Sequence, residues 1–208
     1  MDIVLSSTSP ARLKLMRRTK IAFTCFAPNI DESLHPNETA EEAVKRLAIA
    51  KAKAAEQQHP NALIIGCDQL VTVNDTILGK PLTHTNAIKQ LTLCSGQKLH
   101  SYTGLCLYNS ETQQIQTDVM LYQVKFKQLS ENMIERYLAI DQPYHCAGSI
   151  KAEYLGFSLF EWMRGDDPTA LTGLPLIRLN NMLLNEKFNI LNTPTSSTNN
   201  ENATEKNQ

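Results

Sequence analysis

The chain lacks an excess of charge of either sign. Its 208 residues carry 20 Lys and Arg against 21 Asp and Glu, which gives a formal net charge of -1. A protein that binds duplex nucleic acid normally carries a strong positive excess, because its cations replace the counterions on phosphate. We therefore expect no nucleic-acid partner, although a few focused cations would be enough to hold a small phosphate ligand.

A long hydrophobic run is also missing. No stretch approaches the roughly 20 apolar residues that span a bilayer, and the first apolar run is only Ile3-Val4-Leu5. Positive charge follows this run instead of preceding it, which does not fit a signal peptide. We expect a cytoplasmic protein without a membrane partner.

Motifs for zinc, disulfides and Walker-type phosphate loops are absent. The five cysteines have no CxxC spacing, and the five histidines form no HxxxH or HExxH pattern. The pair His145-Cys146 is too little for a zinc site. The odd number and scattered positions of the cysteines predict reduced thiols that mostly pack. No Gly-x-x-x-x-Gly-Lys-Ser/Thr sequence occurs.

What the sequence does contain is an alternation of short apolar runs and amphipathic segments, which predicts an α/β fold. Asn74-Asp75 is a plausible hairpin turn, and Thr39 to Glu42 form a capping box that opens a helix.

The predicted strands are Ile3 to Leu5, Ile21 to Ala27, Leu63 to Gly66, Leu70 to Val73, Thr76 to Leu78, Ser101 to Tyr108 and Gln116 to Lys127. The predicted helices are Ala11 to Arg18, Thr39 to about Gln57, Asn86 to Cys94, a segment capped by Ser130, and Leu174 to about Glu186. The stretch between the last two helices is rich in loop residues, and residues 192–208 are predicted to be a disordered polar tail.

Charged and polar side chains follow several predicted strands, where ligands of open α/β sheets gather. Three carboxylates and three cations at such positions make a site for phosphate and a divalent metal plausible, because Mg²⁺ takes carboxylate and phosphate oxygens while Lys and Arg neutralise phosphate charge. The candidates are Ser7, Arg12, Asp31, Glu32, Lys51, Asp68, Gln69 and Lys80.

Each of these residues also has an ordinary structural interpretation. Asp68 suits the end of a strand or a turn, Glu32 suits a solvated turn, and Lys51 suits an exposed helix face. Trp162 suits the core better than a stacking role over a bound cation. The residue pattern alone therefore indicates no more than possible phosphate chemistry.

Taken in order, the segments resemble the Maf family of nucleoside triphosphate pyrophosphatases. The resemblance covers roughly residues 1 to 187, and the ordered set of pieces is specific although each piece alone is weak. The pieces are Leu5-Ser6-Ser7-Thr8-Ser9-Pro10-Ala11-Arg12, Asp31-Glu32, Arg46-Leu47-Ala48 with Lys51-Ala52, Ile65-Gly66-Cys67-Asp68-Gln69, Leu78-Gly79-Lys80-Pro81, Ser95-Gly96 and Tyr102-Thr103-Gly104.

Other details resemble the branch of the family that acts on 7-methyl-GTP. Asp68-Gln69 stands where the dTTP/UTP branch has Asp-Thr. The runs from His145 to Glu153 and from Leu171 to Leu176 are similar to the 7-methyl-GTP branch. The resemblance implies metal-dependent hydrolysis of 7-methyl-GTP to 7-methyl-GMP and pyrophosphate. The alternatives are a Maf enzyme for UTP, dTTP or another modified nucleotide, and a nucleotide-binding regulator without turnover.

The resemblance also implies a role for each site residue. Asp68 would be the proton acceptor and, with Glu32, would hold Mg²⁺ or Mn²⁺. The phosphate-binding residues would be Ser7, Arg12, Lys51 and Lys80, and the specificity residues would be Ala11, Gln69 and Glu153. For the fold we expect an elongated mixed β-sheet with flanking helices and two lobes around a central cleft, formed by residues 1–191, and the family suggests a homodimer.

Overall fold

A computed structural model describes residues 1–192, and over these residues the protein is an α/β fold built on one seven-stranded mixed sheet. The strands and helices follow one another as β1 (Asp2–Ser6), α1 (Pro10–Arg17), β2 (Thr24–Phe26), α2 (Ala40–Lys53), β3 (Ala62–Val73), β4 (Thr76–Leu78), α3 (His84–Cys94), β5 (Lys98–Asn109), β6 (Gln114–Phe126), α4 (Glu131–Asp141), β7 (Phe160–Arg164) and α5 (Leu176–Asn185). The strand order is β2-β1-β3-β5-β6-β7, with β4 paired to β3. β1 is parallel to β2 and β3, and the other pairs are antiparallel. The predicted α/β class with a mixed sheet is confirmed.

Local sequence signals explain where several elements begin. The side chain of Thr39 accepts from the backbone N–H of Glu42 while the Glu42 side chain accepts from the Thr39 backbone, so the predicted capping box is present. Asn74 and Asp75 have φ angles of 48° and 61°, as a tight two-residue turn between β3 and β4 requires. The predicted hairpin is therefore confirmed.

The prediction of two separate strands around Asp68 is wrong. Ala62–Val73 is one continuous strand, because its polar middle is paired with β5 through Cys67↔Leu105, Asp68↔Gly104 and Gln69↔Thr103. On its other edge, β3 pairs with β1 up to Gly66 and with β4 from Val71 onwards. The four residues between these two points, 67–70, have no strand on that side. Asp68 thus lies in mid-strand, just beyond the end of the parallel pairing.

Helix α2 lies directly on the sheet at two glycines. A Cβ atom on Gly66 would stand 2.1 Å from the carbonyl oxygen of Ala48, and one on Gly104 would stand 2.2 Å from that of Val44. Only residues without side chains allow such an approach of helix backbone to strand backbone. The approach brings the last turn of α2, which contains Lys51, against the middle of β3.

The apolar core divides between the two ends of the long strands. At one end, α1 and α5 pack on β1, β3 and β5 through side chains such as Leu5, Met16 and Leu183. At the other end, α3 and α4 pack on β3, β5 and β6 through side chains such as Leu91 and Phe126. The expected two-lobed arrangement follows from this division.

Strand β7 was not predicted from the sequence. It pairs only with the end of β6, and the register slips between Lys125 and Phe126, so it is a short edge strand in a segment otherwise rich in loops. Trp162 on this strand is half-buried, with the Arg164 guanidinium 4.7 Å and the Lys98 ammonium 5.8 Å from its ring centroid. It is therefore neither a core residue nor part of the cleft described below.

Several predicted boundaries need correction. β2 is shorter than Ile21 to Ala27, α2 ends at Lys53 before a series of turns, and α5 begins after Pro175. Asn192 closes a short 3₁₀ turn, and the rest of the predicted tail lies outside the described residues. Among residues 1–192, no helix has the length and apolarity needed to cross a membrane.

The contact between α2 and the sheet can be tested with Gly104→Ala. The added methyl group would meet backbone atoms, which cannot give way cheaply, so we expect a loss of about 1–3 kcal/mol in the free energy of unfolding. Urea denaturation measures this loss. The matched control is Gly79→Ala, because no atom of residues 1–192 lies within 4 Å of the Cβ it would add. Equal midpoints for the two variants would contradict the close approach.

Candidate active site

A cleft of about 510 Å³ opens beside the stretch of β3 that has no neighbouring strand. Its size is within the range of small-molecule sites, which are roughly 300–1,000 Å³. Successive side chains of a strand point to opposite faces of the sheet. A cleft at an open strand edge can therefore be lined by side chains from both faces. Of the ten residues that the sequence offers for the site, all but Asp31 line this cleft: Ser7, Ala11, Arg12, Glu32, Lys51, Asp68, Gln69, Lys80 and Glu153.

Lys51 stands between two carboxylates at one side of the cleft. Its Nζ lies 2.6 Å from Oδ1 of Asp68 and 3.0 Å from Oε1 of Glu32. Lys51 is only 5% exposed, so the interpretation of this lysine as a solvated helix residue is wrong. The Ser6 hydroxyl donates to the Lys51 carbonyl at 2.5 Å and ties this turn of α2 to β1. The arrangement keeps two acids close together around one buried positive charge.

Glu32 belongs to an exposed loop that Arg46 of α2 holds in place. The Arg46 guanidinium donates to both carboxylate oxygens of Glu38, at 2.6 and 2.7 Å, and to the Ser33 carbonyl at 3.0 Å. This bidentate bond lowers the pKa of Glu38 to about 2. The hydroxyl of Ser33 donates to Asp31, which is a main cause of the lowered pKa of Asp31. Asp31 is engaged in this turn and does not line the cleft.

Arg12 and Lys80 supply positive charge that no carboxylate of residues 1–192 neutralises. The Nε of Arg12 donates to the Gly173 carbonyl at 2.9 Å, which orients the guanidinium. Among residues 1–192, neither Arg12 nor Lys80 forms an ion pair. The buried Cys67 thiol donates to the same carbonyl at 2.9 Å, and burial raises its pKa to about 11. The cleft therefore offers an anion two free cations.

Ser7 and the start of α1, which carries Arg12, line the same cleft. The Ser7 hydroxyl accepts from the Ser9 backbone N–H at 3.2 Å, and Ser7 is only 7% exposed. Helix α1 begins at Pro10, which has no N–H group, and residues 7–12 line this part of the cleft. Helix N-termini are favourable places for phosphate groups.

The side chain of Gln69 is oriented by acceptors on the opposite side of the sheet from Asp68. Its Nε2 lies 3.0–3.1 Å from two hydroxyl oxygens, of Ser101 and Thr103, and 3.0 Å from the carbonyl oxygens of Ala170 and Leu171. The amide nitrogen is thus used within the protein. Any hydrogen bond from Gln69 to a ligand would be made by its carbonyl oxygen, which is an acceptor.

Ala11 and Glu153 lie on different elements at the cleft wall. Ala11 is in the first turn of α1, and Glu153 is exposed on a loop before β7, where it forms no ion pair within residues 1–192. Cys146 is close to both Lys80 and Glu153, and burial raises the pKa of its thiol. Of the two specificity candidates outside β3, Ala11 therefore offers a small apolar side chain and Glu153 offers a carboxylate without an ion-pair partner in residues 1–192.

The sequence interpretation missed part of the cleft wall. Gly173, whose carbonyl orients Arg12, and the residues just before it line the cleft, as do the apolar side chains of Leu99, Val124 and Phe160. The run Leu171-Thr172-Gly173 carried a signal, because it belongs to a segment that matches the family. The apolar wall carried none, because these side chains follow ordinary strand alternation.

Within residues 1–192, no group of three or more His, Cys, Asp and Glu side chains has the arrangement of a metal site. Only the pair Glu32 and Asp68 brings carboxylate oxygens together in the cleft, around Lys51. Two protein carboxylates are nevertheless enough for a cation such as Mg²⁺, which takes its remaining ligands from water and substrate phosphates.

Comparison with known proteins shows a match along most of the chain. The family profile described as "Maf-like protein" matches residues 2–186. A protein of Methylobacillus flagellatus named 7-methyl-GTP pyrophosphatase is 49% identical over 189 residues, which cover 91% of this chain and 98% of that protein. Two further proteins of the same name, from Nitrosococcus oceani and Vibrio cholerae, are 47% and 46% identical to this chain. Each alignment covers 91% of this chain, and it covers 95% of the Nitrosococcus protein and 98% of the Vibrio protein. The solved structure of the Staphylococcus aureus Ham1 protein superimposes on 62% of this chain and on 73% of the Ham1 chain. The sequence identity is 13% and the TM-score is 0.45, so this similarity is too low to bear on the site.

The charge arrangement around Lys51 can be tested with Lys51→Met. Removing the ammonium leaves Asp68 buried beside Glu32 without a counter-charge, so we expect a loss of about 3 kcal/mol in the free energy of unfolding. Denaturant titration at neutral and acidic pH measures it, and the loss should shrink at low pH, where the carboxyl groups become neutral. Lys45→Met on the same helix is the control, because Lys45 is exposed and unpaired within residues 1–192. An equal, pH-independent change in both variants would argue against the arrangement.

Proposed function

The chain belongs to the Maf-like protein family, whose profile spans residues 2–186, and from that premise we propose that it hydrolyses 7-methyl-GTP to 7-methyl-GMP and pyrophosphate. The relatives that are 46–49% identical over nearly their whole length bear the name of this activity. The observation that carries the proposal is the cleft itself. It combines a buried carboxylate, Asp68, with two cations that have no carboxylate partner in the described part of the chain.

The triphosphate group is the part of the substrate that these cations would bind. A triphosphate carries several negative charges, and Arg12 can use its terminal nitrogens for phosphate oxygens because its Nε is already held by Gly173. Lys80 and the Ser7 hydroxyl would add contacts at the same side of the cleft. Charge develops on pyrophosphate as it leaves, and fixed cations that stabilise this charge lower the barrier.

A divalent cation, Mg²⁺ or Mn²⁺, would be held by Glu32 and Asp68 together with phosphate oxygens. When bound, such a cation neutralises phosphate charge and makes water more acidic. The exposure of Glu32, whose side chain is 57% accessible, leaves it free to turn towards a metal at the mouth of the cleft. Lys51 is already within reach of both acids and would keep them from repelling each other.

Asp68 would act as the proton acceptor. It would take a proton from the water that attacks the α-phosphorus, while pyrophosphate leaves on the opposite side. The β5 partner of Asp68 is Gly104, so its strand cannot shift without disturbing the contact between α2 and the sheet. Lys51 donates to Asp68 at 2.6 Å and would orient its carboxylate.

Base recognition would depend on two acceptors, Gln69 and Glu153. Guanine presents donors at N1–H and at its exocyclic amine, and N7-methylation makes the ring cationic, which a carboxylate favours. The corresponding edges of uracil and thymine carry more acceptors, so a pair of acceptors disfavours UTP and dTTP. This is why we prefer 7-methyl-GTP to the other nucleotides of the family. A regulator without turnover would not need a buried carboxylate such as Asp68 beside the phosphate cations.

We propose further that residues 1–191 act as one catalytic domain with a polar tail from 192 to 208, in a cytoplasmic homodimer. The support is the family assignment, and the mass of the native protein in solution tests the assembly.

The role of Asp68 is tested by Asp68→Asn, which keeps the size of the side chain but removes its ability to take a proton. We expect pyrophosphate release from 7-methyl-GTP with Mg²⁺ to fall by about 10²–10⁴-fold. Asp75→Asn, in the exposed β3–β4 turn, should keep full activity. Substantial activity in Asp68→Asn would remove Asp68 from this role.

The base assignment is tested by Glu153→Gln. The amide keeps one acceptor but loses the charge, so we expect the ratio of kcat/KM for 7-methyl-GTP over GTP to fall about tenfold, as the loss of roughly 1.4 kcal/mol implies. Glu111→Gln, in the exposed turn between β5 and β6, is the control. An unchanged ratio in Glu153→Gln would contradict the assignment.

A further inference from the structure

Glu153 stands on a tight loop, residues 150–156, that has no strand or α-helix of its own. The loop closes around the carbonyl oxygen of Lys151, which accepts from the backbone N–H groups of Tyr154 at 3.1 Å and Gly156 at 3.2 Å. A Cβ atom on Gly156 would lie 2.6 Å from that oxygen, so the closure needs a glycine there. The tip that carries Glu153 is exposed at the cleft wall.

Both ends of this loop are hydrogen-bonded to the last turn of α4. The backbone N–H of Lys151 donates to the Tyr137 hydroxyl at 2.9 Å, and that of Leu155 donates to Oδ2 of Asp141 at 3.0 Å. The Lys151 ammonium also donates to the Asp141 carbonyl at 2.6 Å, one of the carbonyls that the end of a helix leaves without an intrahelical partner. Two residues of α4 thus hold the loop on either side of Glu153.

Tyr137 and Asp141 are neighbours and both are buried. They are four residues apart on α4, so their side chains lie on one face of the helix. Tyr137 is 4% and Asp141 9% exposed. Burial raises the pKa of Tyr137, so its hydroxyl stays protonated. Buried polar groups that are all paired define one geometry, because any shift leaves one of them unsatisfied.

The carboxylate of Glu153 has no comparable support of its own. Within residues 1–192 it takes part in no ion pair, so its location follows from the backbone of the loop. Tyr154, the next residue in the loop, makes a cation–π contact with Lys14 of α1. This contact is weak, since the Lys14 ammonium lies 5.8 Å from the centroid of the Tyr154 ring. The loop is held by its hydrogen bonds to α4 and by Ile150, Ala152 and Leu155, which pack against the apolar core, and of these contacts only the hydrogen bonds fix the backbone on both sides of Glu153.

We propose that Tyr137 and Asp141 are positioning residues that set the base preference of the enzyme by holding the Glu153 loop at the cleft. The inference rests on the proposed function, because that function gives Glu153 its role in recognising the base. Neither Tyr137 nor Asp141 lines the cleft. They act on the nucleotide only through the position of Glu153, and the phosphate and proton-transfer groups on α1, α2 and β3 do not depend on them.

The first test is Tyr137→Phe, which removes the hydroxyl that accepts from Lys151 and leaves the ring in place. The ratio of kcat/KM for 7-methyl-GTP over GTP should fall about fivefold to tenfold, while kcat for GTP stays near the wild-type value. Tyr144→Phe is the matched control, because the hydroxyl of Tyr144 is bonded to His84 and not to the loop. An unchanged ratio in Tyr137→Phe, or an equal loss of kcat for both nucleotides, overturns the proposal.

A second variant, Asp141→Asn, keeps an oxygen that can accept from the Leu155 N–H but replaces the charged acceptor by a neutral, weaker one. We expect a smaller fall in the same ratio. If Tyr137→Phe folds poorly, as thermal unfolding would show, Asp141→Asn still decides the question. A wild-type ratio in a well-folded Asp141→Asn protein counts against positioning.

A double-mutant cycle separates failure of this inference from failure of the proposed function. If the α4 residues act through Glu153, then Tyr137→Phe should lower the ratio in the wild type but not in the Glu153→Gln background. Equal falls in both backgrounds overturn the positioning role while leaving base recognition by Glu153 intact. A wild-type ratio in Glu153→Gln alone overturns the base assignment, and with it the inference that depends on it.

Discussion

The buried ion pair between Lys51 and Asp68 is the interaction on which the cleft depends. An ammonium and a carboxylate are costly to bury, and they persist only when each satisfies the other at short range, here 2.6 Å. The pair can form because α2 lies on two strands at Gly66 and Gly104 with no side chain in between. Glu32 joins the same ammonium from the exposed loop, so one positive charge links a helix, a strand and a loop at the point where chemistry is proposed.

The second constraint is the pairing of β3, which has a partner along the whole of one edge and along only part of the other. The open stretch from residue 67 to 70 makes both faces of one strand accessible from a single cleft. Asp68 and Gln69 are neighbours in the chain, yet one faces α2 and the other faces the loop that contains Ala170. Proton transfer and base recognition can therefore be assigned to adjacent residues without crowding, because the alternation of a strand separates them.

Much of the architecture could be predicted because its signals are local. The capping box at Thr39 and Glu42, the turn at Asn74-Asp75 and the Ser-rich start of α1 act over four residues or fewer, so the sequence contains all the groups involved. The candidate site could also be assembled from the sequence, but only by resemblance to a family, since nothing in the spacing of Glu32 and Asp68 relates one to the other.

By itself, then, the sequence determined the α/β class, the capped starts of α2 and α4, the tight turn after β3 and the set of polar residues available for a phosphate site. Only the tertiary structure decided that β3 runs unbroken through Asp68, that Lys51 is buried, that β7 forms at all, and that Gln69 offers an acceptor to the cleft. Each of these depends on partners distant in the chain: β5 for the polar middle of β3, β6 for β7, and Ala170 for the Gln69 amide. Pairing between distant segments supplies hydrogen bonds and burial that can outweigh local propensity, and no window of neighbouring residues contains that information.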